Sequence, residues 1–277
     1  MEITVGIFLV LMAMAFVCAF IDSSMGMGYG TILGPLLLIM GFSPTVVVPA
    51  ILLTQAFEGF VASMFHQQFE NVSFEPSSRE WKMLIMVVGF GIVAAVMAAV
   101  IAVNIPKVVL KTYIGLLVTA MGIILLTRKS FTFTWNRMVF VGILSAFNKG
   151  MTGGGFGPVI TGGQVMAGQE HKAAVGITTM AQAPICISGF FAYMIFRTVR
   201  EVPGAVLEMR LADFFTRMFS PQLFQWELIL ALFIGSIMVA PFGAFTTRSL
   251  KQASIHYMMG GLITVLGIWT LARTWMP

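Results

Sequence analysis

Charged side chains are scarce in this sequence. Asp, Glu, Lys and Arg make up 10% of its 277 residues, where a soluble domain carries about 25%. That leaves too little polar surface to face water and excludes an ordinary soluble globule. Acidic residues are the rarer sign, 11 against 16 basic, for a net charge of +5. The basic residues fall in short stretches between apolar runs, where a positive-inside bias is the ordinary cause, so no nucleic-acid partner is expected. Cysteine is rarer still. Cys18 and Cys186 both sit inside apolar runs, which excludes a disulfide framework and a cysteine metal site. The three histidines (His66, His171 and His256) lie near the ends of apolar runs. No zincin spacing, acidic metal pair or Ser–His arrangement accompanies them, so no metal or cofactor is expected and a membrane-embedded enzyme is a weak alternative. A basic region ahead of the first apolar run is missing too, so that run reads as a span and not as a cleavable signal.

What the sequence has in quantity is apolar length. Hydrophobic residues make up 58% of the chain, and mean hydropathy is +0.94. Runs at 3–21, 83–103, 108–127, 228–245 and 257–271 reach or approach the ~20 residues that a helix needs to cross ~30 Å of hydrocarbon. The fold class is therefore all-α and polytopic, and the place is a cell membrane, the inner one. The 22 methionines are scattered as core filler is; copper handling would need them clustered.

The chain also repeats itself. A shift of 127 residues matches 19–56 to 146–183 without a gap, pairing Gly26 with Gly153, Gly28 with Gly155, Gly30 with Gly157 and Gln55 with Gln182. Further on, a shift of 145 pairs Gly115 with Gly260, Thr119 with Thr264 and Gly122 with Gly267. The first unit is read as 1–130 and the second as 131–277, with a longer connection in the second that holds an amphipathic interfacial helix at about 204–219. There Arg210, Asp213 and Arg217 share one face.

Each unit reads as a segment broken at glycines, 23–30 and 148–157, followed by three continuous helices. If each broken segment crosses once, there are about eight transmembrane helices from a duplicated four-helix unit, both units pointing the same way. If each is a re-entrant hairpin, the crossing count per unit is odd and the units are inverted. Under the eight-crossing reading Arg197, Arg200 and Arg273 lie with seven further cations on one side, and Lys107 and Lys111 with three others on the opposite one. Ten against five makes the first side, and both termini, cytoplasmic.

Around these breaks the sequence resembles the TauE/SafE family of sulfite and organosulfonate permeases, also called the toluene-sulfonate uptake permease family. The first half carries Gly26-Met27-Gly28-Tyr29-Gly30, then Gly34-Pro35 and Gly41-Phe42-Ser43-Pro44, then Val48-Pro49-Ala50 and Gln55-Ala56. The second carries Gly153-Gly154-Gly155-Phe156-Gly157-Pro158, then Gly168, Ala174-Val175-Gly176 and Ala181-Gln182-Ala183. The likeness covers essentially the whole chain. It implies eight helices from a duplicated four-helix unit, and export or uptake of sulfur-containing anions.

The residues argue for a site on their own account. Irregular backbone at membrane depth survives where it is buried in protein or lines a wet cavity. After each break a helix starts, at about Tyr29 and Phe156, and its free N–H groups and positive dipole end attract anions. Gly26, Gly28, Tyr29, Gly30, Gly153, Gly154, Gly155 and Gly157 are thus substrate-binding candidates, although glycines also serve close helix packing. Asp22 and Lys149 are 127 apart and occupy matching positions at the starts of the two breaks. A charge at that depth costs about 2.5–3.5 kcal/mol on insertion scales, so neither is expected to be idle. They form a mutual ion pair, or Lys149 attracts the anion while Asp22 orients it or exchanges a proton. Asn148, Gln55 and Gln182 are candidate donors to the anion, although Asn148 can equally cap the neighbouring half-helix and the glutamines can simply link helices; Glu58 is a weaker proton-binding candidate. The expected partners are a small anionic substrate, membrane lipid and a proton as coupling ion. The function so read is transport, with a passive anion channel as the alternative.

Overall fold

The computed structural model describes the chain except residues 1–2, 128–133, 167, 202–208, 222, 250–251 and 277. In chain order the helices are α1 (Val5–Met25), α2 (Tyr29–Ile39), α3 (Pro44–Gln68), α4 (Arg79–Asn104), α5 (Lys107–Thr127) and α6 (Trp135–Thr152). They continue as α7 (Phe156–Met166), α8 (His171–Glu201), α9 (Leu211–Met218), α10 (Trp226–Ile237), α11 (Ala240–Thr246) and α12 (Gln252–Trp275). Side-chain oxygens of Thr4, Ser78 and Thr134 cap the starts of α1, α4 and α6, each accepting from the N–H three residues on. Among the described residues, α1, α3, α4, α5, α8 and the α10–α11 stretch are long and apolar enough to cross a bilayer. Large apolar side chains such as Phe16, Phe60, Phe90, Leu116 and Phe140 face outward. Asp22, Gln55, Glu58, Lys149 and Gln182 face inward. That inversion of the usual pattern suits a lipid surround. Within the stretch 204–219, where an interfacial helix is expected, the structure has α9 (Leu211–Met218); the part of that expectation at 204–208 lies outside the described residues.

Glycines set how closely the helices approach. A Cβ added to Gly115 would meet Leu271, and one added to Gly122 would meet Thr264, so α5 and α12 run antiparallel. Gly260 in turn abuts Leu126 and Gly267 abuts Thr119. The pairs separated by 145 residues therefore swap roles across this interface. Gln55 contacts Gln182, and Gly189, further along α8, packs on Leu52, earlier in α3, so α3 and α8 also run antiparallel. By contrast α4 and α6 run side by side in one direction, Gly142 on Val87 and Gly150 on Ala95. The same holds for α1 and α10–α11, with Gly235 on Met12 and Gly243 on Ser23.

These directions fix which chain ends meet. The start of α10 lies beside the start of α1. Arg197 Nη1 donates both to Thr45 O, in the first turn of α3, and to Leu223 O, just before α10 (2.6 and 2.9 Å). Arg273 Nη1, in the last turn of α12, donates to Ile39 O at the end of α2 (2.8 Å). The beginning of α1 and the end of α2 thus share one end of the bundle. Eleven residues of α2 rise only about 16 Å, half the rise of α1. At the opposite end, Gln169 after α7 donates to Glu80 in the first turn of α4, beside which α6 also starts. The sequence-based assignment of cations to sides is corrected here. Lys107, Arg197 and Arg200 line one cavity, and Lys111 shares another with Arg273, although the reading separated them. The physical reason is that α2 turns back toward the end from which α1 starts.

Candidate functional site

Both breaks are built the same way. Helices α1 and α6 end on a glycine in the left-handed region, Gly26 at φ 69° and Gly153 at φ 75°, a conformation that a side chain would strain. Their amides close on Asp22 O (2.6 Å) and Lys149 O (2.8 Å). After the break α2 begins at Tyr29 and α7 at Phe156, the positions expected from sequence. The two tips then meet inside the protein. A Cβ on Gly30 would run into Gly153 O, and a Cβ on Gly157 into Gly26 O. Gly155 N–H donates to Thr31 Oγ1 (3.1 Å) and Thr161 Oγ1 donates to Gly26 O (2.9 Å), each bond tying one break to the other.

Four side chains join beside the tips. Asp22 Oδ1 accepts the first N–H of α2, from Tyr29 (3.2 Å). Asp22 Oδ2 accepts from both glutamine amides, Gln55 Nε2 at 2.9 Å and Gln182 Nε2 at 3.1 Å. Gln55 Nε2 also donates to Gln182 Oε1. On the other side, Lys149 Nζ donates to Gln55 Oε1, to Gly153 O (2.9 Å) and to Gln182 Oε1 (3.5 Å). Three acceptors match the three protons of an ammonium. All four residues are buried, none more than 2% exposed. Asp22 and Lys149 form no direct ion pair within 4 Å; the ion pairs among the described residues are Lys172–Glu170 and Arg197–Glu201. The glutamines stand between opposite charges, donating to one and accepting from the other. In a low-dielectric interior such a closed set is strongly coupled, and opening any one bond exposes the rest.

The remaining candidates fall around this set. Asn148 Oδ1 accepts from Tyr113 Oη at 2.6 Å, and Tyr29 Oη bonds Thr54 Oγ1 at 2.9 Å. Glu58, one turn beyond Gln55, is 0% exposed and neither carboxyl oxygen has a hydrogen-bond partner. His66 is held by structural hydrogen bonds. Its Nδ1 accepts from Asn71 Nδ2 (3.0 Å), which leaves Nε2–H to donate to Ser23 O (2.8 Å). Sequence reasoning missed Thr31, Thr161 and Tyr113; the two threonines closely follow the breaks in sequence, whereas Tyr113, on α5, carried no signal of the site. Among the described residues no cluster of His, Cys, Asp and Glu is set to hold a metal.

A family model described as "Sulfite exporter TauE/SafE" matches residues 11–270 of the chain. A curated relative is 23% identical over 267 residues, which is 92% of this chain and 79% of the relative; it is the "Probable membrane transporter protein YtnM" of Bacillus subtilis (strain 168). No solved structure gives a significant match.

Proposed function

We propose a mechanism for a chain that belongs to the sulfite exporter TauE/SafE family and is a multi-pass membrane transporter: it carries a small anion, a sulfur oxyanion such as sulfite or a small organosulfonate, past the meeting point of its two glycine breaks. The observation that carries this reading is the buried set Asp22, Gln55, Gln182 and Lys149, one member from each of α1, α3, α8 and α6. Asp22 is an internal carboxylate seated on the first N–H of α2, which is how a helix start holds an anion. At the equivalent position before α7 stands the cation Lys149. A substrate oxyanion takes the corresponding seat at the start of α7, near Phe156 and Gly157, where the Lys149 ammonium neutralises it. As arranged, the centre is filled by its own side chains, so the anion enters as Lys149 leaves the glutamine oxygens and is handed back as they re-form. Glu58, buried beside Asp22 and Lys149 without a hydrogen-bond partner, is the proton-exchanging group in this scheme.

The test is uptake of sulfite and of methanesulfonate into proteoliposomes. Saturable counterflow driven by a pH gradient is expected, and Glu58→Gln is expected to keep exchange while losing gradient-driven accumulation. Flux that neither saturates nor responds to the gradient would establish a passive channel instead.

We further infer that the two units are inverted copies. Helices that match under the repeat, α3 with α8 and α5 with α12, run antiparallel, and the start of α1 shares an end with the close of α2. This supports two re-entrant hairpins, α1–α2 and α6–α7, inserted from opposite faces among the full crossings, a plan used for alternating access. Single cysteines in a chain lacking Cys18 and Cys186 distinguish the plans. Inversion predicts that Thr4→Cys and Ser43→Cys label from one face, and Glu75→Cys and Glu170→Cys from the other. Eight crossings in parallel units would instead pair position 4 with 75 and position 43 with 170.

A further inference from the structure

A cavity of about 440 Å³ opens at the end of the bundle where α2 finishes and α5 begins. Lys107, Arg197 and Arg200 line it, with Glu201 as the one carboxylate. Both guanidinium groups are held by main-chain oxygens. Arg197 Nη1 donates to Thr45 O and Leu223 O, and Arg200 Nη1 donates to Val103 O. A guanidinium has five N–H donors, so each is anchored with donors to spare. Arg197 Nε sits 3.9 Å from Glu201 Oε1, a long and part-exposed contact. Two positive charges therefore exceed the negative ones in the cavity wall. Its wall also includes the start of α5 at Lys107, where helix N–H groups have no partners within the helix. Tyr193 supplies a second, independent sign. This residue lines the cavity, is 0% exposed, and its hydroxyl has no hydrogen-bond partner. A buried hydroxyl left without a partner is costly, and an anion's oxygen in the cavity removes that cost.

We propose that this cavity is a second anion site, distinct from the central one, that takes a compact oxyanion of the sulfate, sulfonate or phosphate type. Arg197 and Arg200 clamp its oxygens, Lys107 adds charge, and the Tyr193 hydroxyl donates the remaining bond. The same chemistry describes a free solute and the phosphate of an acidic lipid headgroup. The site draws nothing from the Asp22–Lys149 set and stands whether or not that set carries substrate.

Thr45 lines the cavity, so a Thr45→Cys variant reports on it locally, in a chain lacking Cys18 and Cys186. Inorganic sulfate is expected to slow labelling of that cysteine by neutral N-ethylmaleimide in proportion to its occupancy. Adding Arg200→Gln should raise the sulfate concentration needed by at least about tenfold, the loss of one charge-assisted bond. Tyr193→Phe, which removes a single oxygen, should raise it about threefold to tenfold. Phosphatidylglycerol nanodiscs that protect without sulfate, where phosphatidylcholine ones do not, would assign the site to a lipid headgroup; equal behaviour in both would assign it to the free anion. Labelling indifferent to sulfate and to lipid alike, or protection unchanged in both variants, would overturn the proposal. Because no transport is measured, that failure would leave the central site untouched.

Discussion

Lys149→Met is expected to abolish transport and to destabilise the folded protein by about 3–5 kcal/mol, the range for removing one partner of a buried charge pair. The geometry says why the loss is large. Lys149 Nζ is the donor to Gln55 Oε1, Gln182 Oε1 and Gly153 O, and the residue is only 1% exposed. Without it three acceptors lose a donor and Asp22 keeps a negative charge with no counterpart in the set. Asp22→Asn in the same chain is expected to return part of the stability, because it removes the uncompensated charge while retaining hydrogen-bonding capacity. The double variant should therefore fall short of the summed losses by at least about 1 kcal/mol, read by chemical unfolding in detergent. Transport is not expected to return with it. If Lys149→Met carries anion at the parental rate, the lysine has no part in the mechanism.

The second large effect belongs to the crossing of the breaks. Gly30→Ala and Gly157→Ala each place a methyl group against backbone of the other tip, Gly153 and Gly26 respectively. Backbone cannot swing aside as a side-chain end can, so each change should cost at least about 3 kcal/mol, the upper end of ordinary overpacking. Gly89→Ala is the matched control, since it lies within α4 with nothing within 4 Å of the added carbon. That change should be neutral or stabilise by up to about 1 kcal/mol. Thermal unfolding of the three variants side by side separates them. Equal behaviour would mean that the tips do not touch.

Much of this was open to reading before any coordinates. The breaks, and the restarts at Tyr29 and Phe156, follow from glycine runs set inside apolar sequence. A polar glutamine in an otherwise apolar helix also announces itself, and Gln55 and Gln182 do meet. What sequence did not carry was direction. Hydropathy measures how apolar a stretch is, and α2 is as apolar as a spanning segment whether it goes on or turns back. The cations were accordingly divided between faces wrongly, with Lys107 parted from Arg200. Nor did residue types reveal that Asp22 and Lys149 would be joined through amides and not directly. That depends on the spacing of four helices, which glycine-to-backbone contacts set.

The seating of Asp22 on the Tyr29 amide has one more consequence. A machine whose halves are upside-down images of each other has no built-in sense of inward and outward, since flipping it over returns the same object. On the inverted plan proposed here, one half arrives with its anion already covalently attached at Asp22, while the equivalent position of the other half holds Lys149. That single mismatch is where a vectorial preference can enter an otherwise reversible design, and exchanging the two residues is the simplest way to ask whether the arrow turns round.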